Sequence, residues 1–443
     1  MSINFSYEAI ALILFGSMAL LLLTGQRVFG AIGFVGALAG LLLWGRGGAE
    51  MPFNAAITVM NWFPMITLPL FVFMGYMLSE SGIANDLYRM FHVWMGPLPG
   101  GLAVGTVALM VAISAMNGLS VAGMAIGASI ALPEMLKRGY DKRMVSGVIQ
   151  AGSSLGIMMP PSVVMVLYGM IARQPVNSLW LAGVGPAVLL AILFVAYIVI
   201  RCKLNPALGA PLSSEERDSL SRREKRRLLL AGLLPVAIIF SVTGLFFMGV
   251  TSLVESSAAG ALVSGLAALI KGRLTKKVLR VTLLQTLSVS CMFMWIIMAA
   301  LCFSAVFDGL GAVHAIKNLF LGEWGLSPWG ILIVMQLSYL IMGMFLDDTA
   351  MLVIVAPLYI PLIKSLGFDP IWYGVLYTVT CQIAYMTPPF GYNLFLMKAM
   401  APNDLTLKDI YSSIVPFVLI MVVGLVLIMV FPQVAMYLPN KFR

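Results

Sequence analysis

Long apolar runs separated by short polar loops dominate the 443 residues of this chain. A run of about 20 apolar residues is long enough to cross the hydrocarbon layer of a membrane. We predict eight such crossings, at about 9–25, 28–44, 64–79, 176–200, 228–248, 252–270, 281–306 and 408–431. Two further segments, 83–95 and 310–322, mix charged, aromatic and apolar residues, which predicts helices at the membrane interface that link a moving part to a fixed one. The pattern indicates an all-α polytopic membrane protein.

Two other segments predict re-entrant helical hairpins. Residues 97–136 and 328–364 each contain two apolar stretches joined by a short tip, at Asn117-Gly118 and at Asp347-Asp348-Thr349. The first segment has no charged residue between its two stretches, whereas a loop in water is usually polar. We therefore expect both tips to stay at membrane depth.

The chain also repeats one sequence block at a constant offset without gaps. The first copy runs from Leu132-Pro133 through Gly139-Tyr140-Asp141 to Pro160-Pro161, and the second from Ile360-Pro361 through Gly367-Phe368-Asp369 to Pro388-Pro389. A Pro-Pro pair breaks a helix because proline lacks a backbone donor and clashes with the preceding turn. We predict two broken helices, at 142–172 and 371–399. Paired breaks in corresponding halves are the best sequence indication of a secondary transporter's binding site.

These elements divide the chain into five predicted regions. They are N-terminal scaffold helices (1–80), a first transport repeat (81–175), further scaffold helices with a cytoplasmic loop at 201–227 (176–306), a second transport repeat (307–400), and a C-terminal helix and tail (401–443).

Composition and charge agree with a membrane location. Hydrophobic residues make up 61% of the chain and charged residues 10%, against about 25% charged residues in a soluble domain. The net charge of +9 does not indicate nucleic-acid binding, because the basic residues cluster in short loops, as cytoplasmic loops do. The four cysteines and two histidines have neither disulfide nor zinc-site spacing, and no ATP-binding GxxxxGK[ST] loop is present.

The loop charges predict the orientation. Residues 201–227 contain eight basic and four acidic residues, and 271–280 contain five basic and no acidic residue, so both are predicted to be cytoplasmic. Residues 137–143 are then cytoplasmic, whereas the equivalent and nearly neutral loop 364–370 is periplasmic. The two copies are therefore predicted to be inverted in the membrane, with both termini periplasmic.

Hairpin tips and helix breaks expose backbone groups that survive in a membrane only by lining a cavity or binding something. Oxygen ligands with few full charges fit sodium better than zinc or copper. The candidate sodium ligands are Ser114, Asn117, Gly118, Ser120, Gly152, Gly156, Gly343, Asp347, Thr349 and Thr387. The candidate substrate-binding residues are Asn117, Ser120, Ser154, Thr380, Gln382 and Asn393. The alternative role of the glycines and serines is close helix packing.

Asp347 and Asp348 are the most notable single residues, because a carboxylate at membrane depth costs about 2.5–3.5 kcal/mol on insertion scales. The alternative is that both lie at a turn in water. An intramembrane aspartyl protease would need two carboxylates facing each other from different helices, whereas these two are adjacent. We therefore predict no enzymatic activity.

A family resemblance follows from motifs spread over nearly the whole chain. They are Ala112-Ile113-Ser114, Gly118-Leu119-Ser120-Val121-Ala122, Leu136-Lys137-Arg138-Gly139-Tyr140-Asp141, Ser153-Ser154-Leu155-Gly156, Pro160-Pro161-Ser162, Gly343-Met344-Phe345-Leu346-Asp347, Leu366-Gly367-Phe368-Asp369-Pro370 and Thr387-Pro388-Pro389-Phe390-Gly391. In this order they resemble the large membrane subunit of tripartite ATP-independent periplasmic (TRAP) transporters.

The resemblance implies an elevator-type, sodium-coupled importer of small organic anions of the carboxylate or sulfonate class, with sodium sites at the hairpin tips and breaks. It implies two partners, a small four-helix membrane subunit and a soluble periplasmic substrate-binding protein, and no cofactor besides the coupling sodium. The chain departs from the family at the first tip, where Leu119 replaces a serine, and at Thr380, Gln382 and Ala384, where many members have Asn, Glu and Gly. The alternatives are a stand-alone sodium- or proton-coupled organic-anion symporter and a passive channel, although inverted broken repeats favour alternating access.

Overall fold

The computed structural model describes residues 6–442 except 25, 46, 119, 211–231, 233, 236, 313–314, 316–317, 319–324, 345–347, 389–390 and 403–404. Within this described part the chain is helical and contains no β-strand, which confirms the predicted all-α fold. The helices of the first half are α1 (Tyr7–Leu23), α2 (Val28–Leu43), α3 (Met51–Met60), α4 (Thr67–Glu80), α5 (Ile83–Met95), α6 (Gly101–Asn117), α7 (Ser120–Ile126), α8 (Leu132–Lys137), α9 (Lys142–Ser154), α10 (Val163–Ala172) and α11 (Val176–Leu204). Those of the second half are α12 (Ala237–Phe247), α13 (Leu253–Ile270), α14 (Lys276–Gly309), α15 (Pro328–Gly343), α16 (Asp348–Ser365), α17 (Pro370–Tyr385), α18 (Tyr392–Met400), α19 (Leu407–Val430) and α20 (Gln433–Lys441).

Four of the described helices are long and apolar enough to cross a membrane, namely α11, α13, α14 and α19. Six shorter apolar helices are α1, α2, α6, α10, α12 and α15. The predicted interfacial helix 83–95 coincides with α5. Most of the predicted interfacial helix 310–322 and of the loop 201–227 lies outside the described residues. The apolar pattern did not single out α3 and α20 as separate helices, because both are short.

The duplicated sequence block forms the same backbone corner in both repeats. After the hairpin of the first repeat, Gly139 N donates to Leu136 O (3.0 Å) and Tyr140 N to Met135 O (3.1 Å). After the second hairpin, the equivalent bonds join Gly367 N to Lys364 O (3.2 Å) and Phe368 N to Ile363 O (3.2 Å). Both glycines have positive φ, +75° and +80°, which a residue with a side chain adopts at a cost.

The aspartate that follows each corner begins the next helix. Asp141 Oδ1 accepts from Arg143 N (3.1 Å) and Met144 N (2.9 Å) at the start of α9. Asp369 Oδ1 accepts from the equivalent amides, Ile371 N (2.7 Å) and Trp372 N (3.2 Å), at the start of α17. Because a capping carboxylate satisfies amides that the helix leaves unpaired, the repeated Gly-aromatic-Asp sequence is explained by this turn.

The two repeats pack against each other reciprocally. Within each repeat, the first arm of the hairpin contacts the first half of the broken helix, α6 with α9 and α15 with α17. Between repeats, α10 contacts α16 and α18 contacts α7, so each second half-helix reaches the opposite hairpin. This exchange is the contact pattern of two copies related by a pseudo-two-fold axis.

Helix α19 connects the two broken helices. At its start, the Asp409 carboxylate forms ion pairs with Lys142 Nζ (2.8 Å) and Arg143 Nε (3.0 Å) on α9. Near its end, Trp372 Nε1 on α17 donates to Ile428 O (3.1 Å). The same helix therefore holds α9 at one end and α17 at the other.

Candidate functional site

The first helix break is held by hydrogen bonds from its own residues. Helix α9 ends at Ser154, a 3₁₀ turn covers Leu155–Ile157, and α10 begins after Ser162. The Ser162 hydroxyl donates to Ile157 O and accepts from Met165 N (3.2 Å), while Trp180 Nε1 donates to Ser162 O (3.2 Å). The predicted break at the Pro-Pro pair is therefore confirmed for the first repeat, and Gly156 lies buried in its 3₁₀ turn.

The tip of the first hairpin contacts this break. Gly118 has φ +66°, and a Cβ added there would overlap the carbonyl oxygen of Pro161 and approach Val163 N to 3.2 Å. Glycine is required here both by the backbone conformation and by the lack of space. The side chains of Ser114 and Asn117 lie outside the part of the chain that the structure describes.

Close helix packing accounts for part of the glycine and serine pattern. A Cβ on Gly152 would approach Met110 Cγ to 2.8 Å, so this glycine lets the hairpin arm α6 lie close to α9. The Ser154 hydroxyl donates to Ala151 O at 2.8 Å within its own helix. In the second repeat, a Cβ on Gly343 would come within 2.6 Å of Ala384 Cβ. These three candidates have a structural use that needs no ligand.

The second break lies between α17 and α18. Helix α17 ends at Tyr385, and the Thr387 hydroxyl donates to Ile383 O at 2.7 Å. A Cβ on Gly391 would lie 2.9 Å from Tyr385 O and 3.0 Å from Thr387 O, so the chain turns tightly before α18. Pro389 and Phe390 lie outside the described residues.

Three candidate substrate-binding residues have buried polar atoms with no hydrogen-bond partner among the described residues. These atoms are Ser120 Oγ, both side-chain amide atoms of Gln382 and both of Asn393. Ser120 is 3% exposed, and Gln382 and Asn393 are 0% exposed. A buried polar group without a partner costs about 1–3 kcal/mol, and such groups in native structures require an explanation such as a bound ligand, ion or water.

These three residues lie on helices that meet at the second break. Gln382 is in the last turn of α17, Asn393 in the first turn of α18, and Ser120 begins α7. Helix α18 contacts both α17 and α7. The helix that Ser120 begins and the helix that Gln382 ends thus both pack against α18, which carries Asn393. Amides and hydroxyls in this number can donate to a carboxylate and accept from a ligand hydroxyl.

Thr380 and Gln382 face in different directions although they are close in sequence. Two residues along an α-helix turn by about 200°. The Thr380 hydroxyl donates to Gln336 Oε1 (2.6 Å) and Leu376 O (3.0 Å), so it faces the hairpin arm α15. Gln336 is 6% exposed and its Nε2 has no partner within the described part. Gln336 was not among the residues predicted from the sequence, although an amide within an apolar run was a usable signal.

The tip of the second hairpin is described only from Asp348 onward. Asp347 lies outside the described residues, as does the side chain of Thr349. The Tyr377 hydroxyl on α17 donates to the backbone oxygen of Asp348, which connects this tip to the broken helix. Over the described residues no group of three or more His, Cys, Asp or Glu side chains could hold a metal ion.

Comparison with known proteins identifies the family. Residues 15–434 match the family model described as "Tripartite ATP-independent periplasmic transporter, DctM component". The C4-dicarboxylate TRAP transporter large permease protein DctM of Pseudomonas aeruginosa is 32% identical over 381 residues, covering 85% of this chain and 86% of that protein. The ectoine/5-hydroxyectoine TRAP transporter large permease protein UehC of Ruegeria pomeroyi is 28% identical over 386 residues, covering 84% of this chain and 85% of its own.

The fold is also similar to a transporter of known structure. The crystal structure of the Alcanivorax borkumensis YdaH transporter superimposes with a TM-score of 0.66 over 96% of this chain and 99% of that one. Sequence identity is 14%, so this similarity supports the architecture alone.

Proposed function

This chain belongs to the DctM component family of tripartite ATP-independent periplasmic transporters, and we propose that it is a sodium-coupled importer of small organic anions. It is the large permease of a TRAP transporter and a multi-pass membrane protein. The proposal extends this identity to the coupling ion, the direction of transport and the class of solute. Relatives named for C4-dicarboxylates and ectoine make small acids the first solutes to test.

The observation that supports the proposal best is the group of unpartnered polar atoms on Ser120, Gln382 and Asn393. Their amides and hydroxyl suit a small polar anion, because N–H groups would donate to its oxygens. The hairpin tips and helix breaks beside them provide backbone oxygens for sodium ions, which prefer such ligands to nitrogen or sulfur. Substrate and ion would then bind to the same unit and move together.

Sodium coupling would supply enough free energy for uptake of a scarce acid. If two sodium ions accompany one monoanion, one net positive charge enters, which contributes about 2.3 kcal/mol per 100 mV. Each tenfold sodium gradient adds about 1.4 kcal/mol per ion. The total is about 5 kcal/mol, which corresponds to more than a thousandfold accumulation.

We further propose the partners that the family's tripartite name implies, namely a small membrane subunit and a soluble periplasmic protein that delivers the substrate. Both termini and the loop 364–370 would face the periplasm. The unequal basic content of the two repeat loops supports this orientation.

The test is uptake into proteoliposomes that contain the chain with its small subunit and binding protein, with radiolabelled succinate as the first probe. We expect uptake to need an inward sodium gradient, and ATP to have no effect. Uptake that continues undiminished when potassium replaces sodium on both sides would contradict the coupling. Uptake without any binding protein would instead favour a stand-alone symporter.

A further inference from the structure

A cavity lies away from the helix breaks, where α10 ends and α11 begins. Its volume is about 620 Å³, within the 300–1,000 Å³ typical of small-molecule sites. The residues on which the argument depends are Trp62, Arg173, Gln174, Asn177, Phe246 and Thr251. Its lining on α10 starts at Gly169, seven residues after Ser162, so the cavity is about 10 Å along the helix from the first break. It is therefore separate from the site described above.

The charge of this cavity is positive. Arg173 is exposed and lines the cavity, and among the described residues no carboxylate forms an ion pair with it. The lining residues include no acidic side chain. The nearby Glu255 in the first turn of α13 is engaged in its own capping box, where it accepts from Ser252 N (2.7 Å). The guanidinium thus has no carboxylate partner within the described protein.

Backbone geometry adds to the positive character. Helix α11 begins at Val176 beside the cavity and has no side-chain cap bond from Pro175, while Ser178 N in its first turn donates to Asn177 Oδ1 (2.8 Å). The N-terminus of a long helix carries partial positive charge and unpaired amides that favour an anion. Arg173 itself has φ +53°, a left-handed conformation that is uncommon for a residue with a side chain. This turn ends α10 at Arg173, three residues before α11 begins.

We propose that this cavity is an accessory binding site for the carboxylate of a small organic anion, with Arg173 as its main ligand. A guanidinium can bind a carboxylate through two parallel hydrogen bonds. Gln174 lines the cavity beside Arg173 and has a second N–H besides the one that donates to Ala172 O (3.2 Å), and Trp62 and Phe246 provide apolar walls for the carbon chain. The predicted orientation places the cavity at the periplasmic end of α10, on the side from which the substrate arrives. The substrate class rests on the proposed function, whereas the anion preference rests on the cavity itself.

The test measures binding without transport. A cysteine is placed at the exposed position Asn177 in a Cys291→Ser background, since Cys291 is the one native cysteine that the structure shows exposed. Labelling of this cysteine by an anionic and by a cationic methanethiosulfonate reagent is followed in sodium-free buffer, with and without succinate. Arg173→Gln removes the charge, and Arg280→Gln, an exposed arginine that does not line the cavity, is the matched control.

We expect succinate to slow labelling at least threefold in the protein with Arg173 and in the Arg280→Gln variant, but not in Arg173→Gln. Without succinate, Arg173→Gln should lower the rate ratio of the anionic to the cationic reagent by about threefold or more, the effect expected of one charge several ångströms away in a watery site. Arg173→Lys, which keeps the charge but not the paired hydrogen bonds, should give intermediate protection.

Equal protection in Arg173→Gln, or no protection by succinate in any variant, would overturn the proposal. The two proposals fail separately. Loss of sodium dependence in proteoliposomes would refute the coupling and leave the labelling result intact. Normal sodium-driven uptake with no charge selectivity at position 177 would refute only the accessory site.

Discussion

Replacing Gln382 with methionine is expected to stabilise the protein and to stop transport. Gln382 is 0% exposed, and neither amide atom has a partner among the described residues. Methionine has nearly the same length and no group that needs a hydrogen bond. Removing an unsatisfied buried polar group should raise the free energy of unfolding by about 1–3 kcal/mol. A stabilising substitution that abolishes activity is the signature of a binding residue rather than a packing residue.

The expected shift in melting temperature follows from the size of the chain. Unfolding entropy is about 2.1 cal/mol/K per residue, which for 443 residues gives about 0.9 kcal/mol/K. The stabilisation then corresponds to a rise in Tm of about 1–3 °C. Thermal unfolding of the purified protein in detergent, followed by intrinsic fluorescence, measures the shift. Succinate uptake per folded protein in proteoliposomes should fall at least tenfold.

Thr380→Val is the matched control on the opposite face of the same helix. Its hydroxyl donates to Gln336 Oε1 at 2.6 Å, so valine leaves that buried oxygen without its partner. We expect Tm to fall by about 1–3 °C while uptake per folded protein remains. If Gln382→Met lowers Tm and leaves uptake unchanged, Gln382 is a structural residue and the substrate site has been assigned wrongly.

Three further predictions concern the orientation, the second hairpin tip and the first. Cysteines at Lys137 and Ser365, exposed residues at equivalent points of the two repeats, should react with impermeant reagents from opposite faces of the membrane; labelling from one face would remove the inverted-repeat argument. Asp347→Asn should shift the sodium dependence of uptake to higher sodium concentration without loss of assembly, because the attraction between the Asp347 carboxylate and a bound cation offsets the cost of burying the carboxylate. Asp348→Asn should shift the sodium dependence less. A normal sodium titration for Asp347→Asn would show that Asp347 is only a turn residue in water. Gly118→Ala should lower both Tm and uptake, because its Cβ would overlap the backbone of the helix break; an unchanged Tm would show that the tip does not sit against the break.

The sequence was sufficient for elements whose local pattern determines them. Long apolar runs predicted the four helices that are long enough to span a membrane, α11, α13, α14 and α19, whereas the predicted crossings at 9–25, 28–44 and 64–79 fall on the shorter helices α1, α2 and α4. The mixed pattern at 83–95 predicted α5 with its observed ends. The Pro160-Pro161 pair predicted the first break. Asn117 ends α6 and Gly118 has positive φ, as predicted for a hairpin tip. In each case a short stretch of chain contains the physical cause, namely apolar length, a missing donor or a residue without a side chain.

The site depended on information that the sequence did not provide. Thr380 and Gln382 were both predicted to bind substrate because both precede the second Pro-Pro pair, but helical rotation directs only Thr380 toward α15. Gln336, which accepts the Thr380 hydrogen bond, lies 44 positions away and became visible only once α15 and α17 were packed together. Whether a buried serine or glutamine has a hydrogen-bond partner depends on its neighbours in space. The periodicity of the sequence contains no information about those neighbours.

The two repeats share a backbone design but differ in the chemistry of their breaks. The corners of both repeats have the same backbone hydrogen bonds. If the two copies served only to form this turn, they would have no reason to differ elsewhere. At equivalent positions before the two Pro-Pro pairs, however, the first repeat has Ser154, whose hydroxyl donates within its own helix, and the second has Gln382, whose amide is unpartnered among the described residues. Asn393 after the second break adds another such amide. Within the described part, the two side-chain amides with neither atom partnered, Gln382 and Asn393, both belong to the second repeat. If the backbone of both breaks binds ions, differences in substrate among relatives should map to these amides.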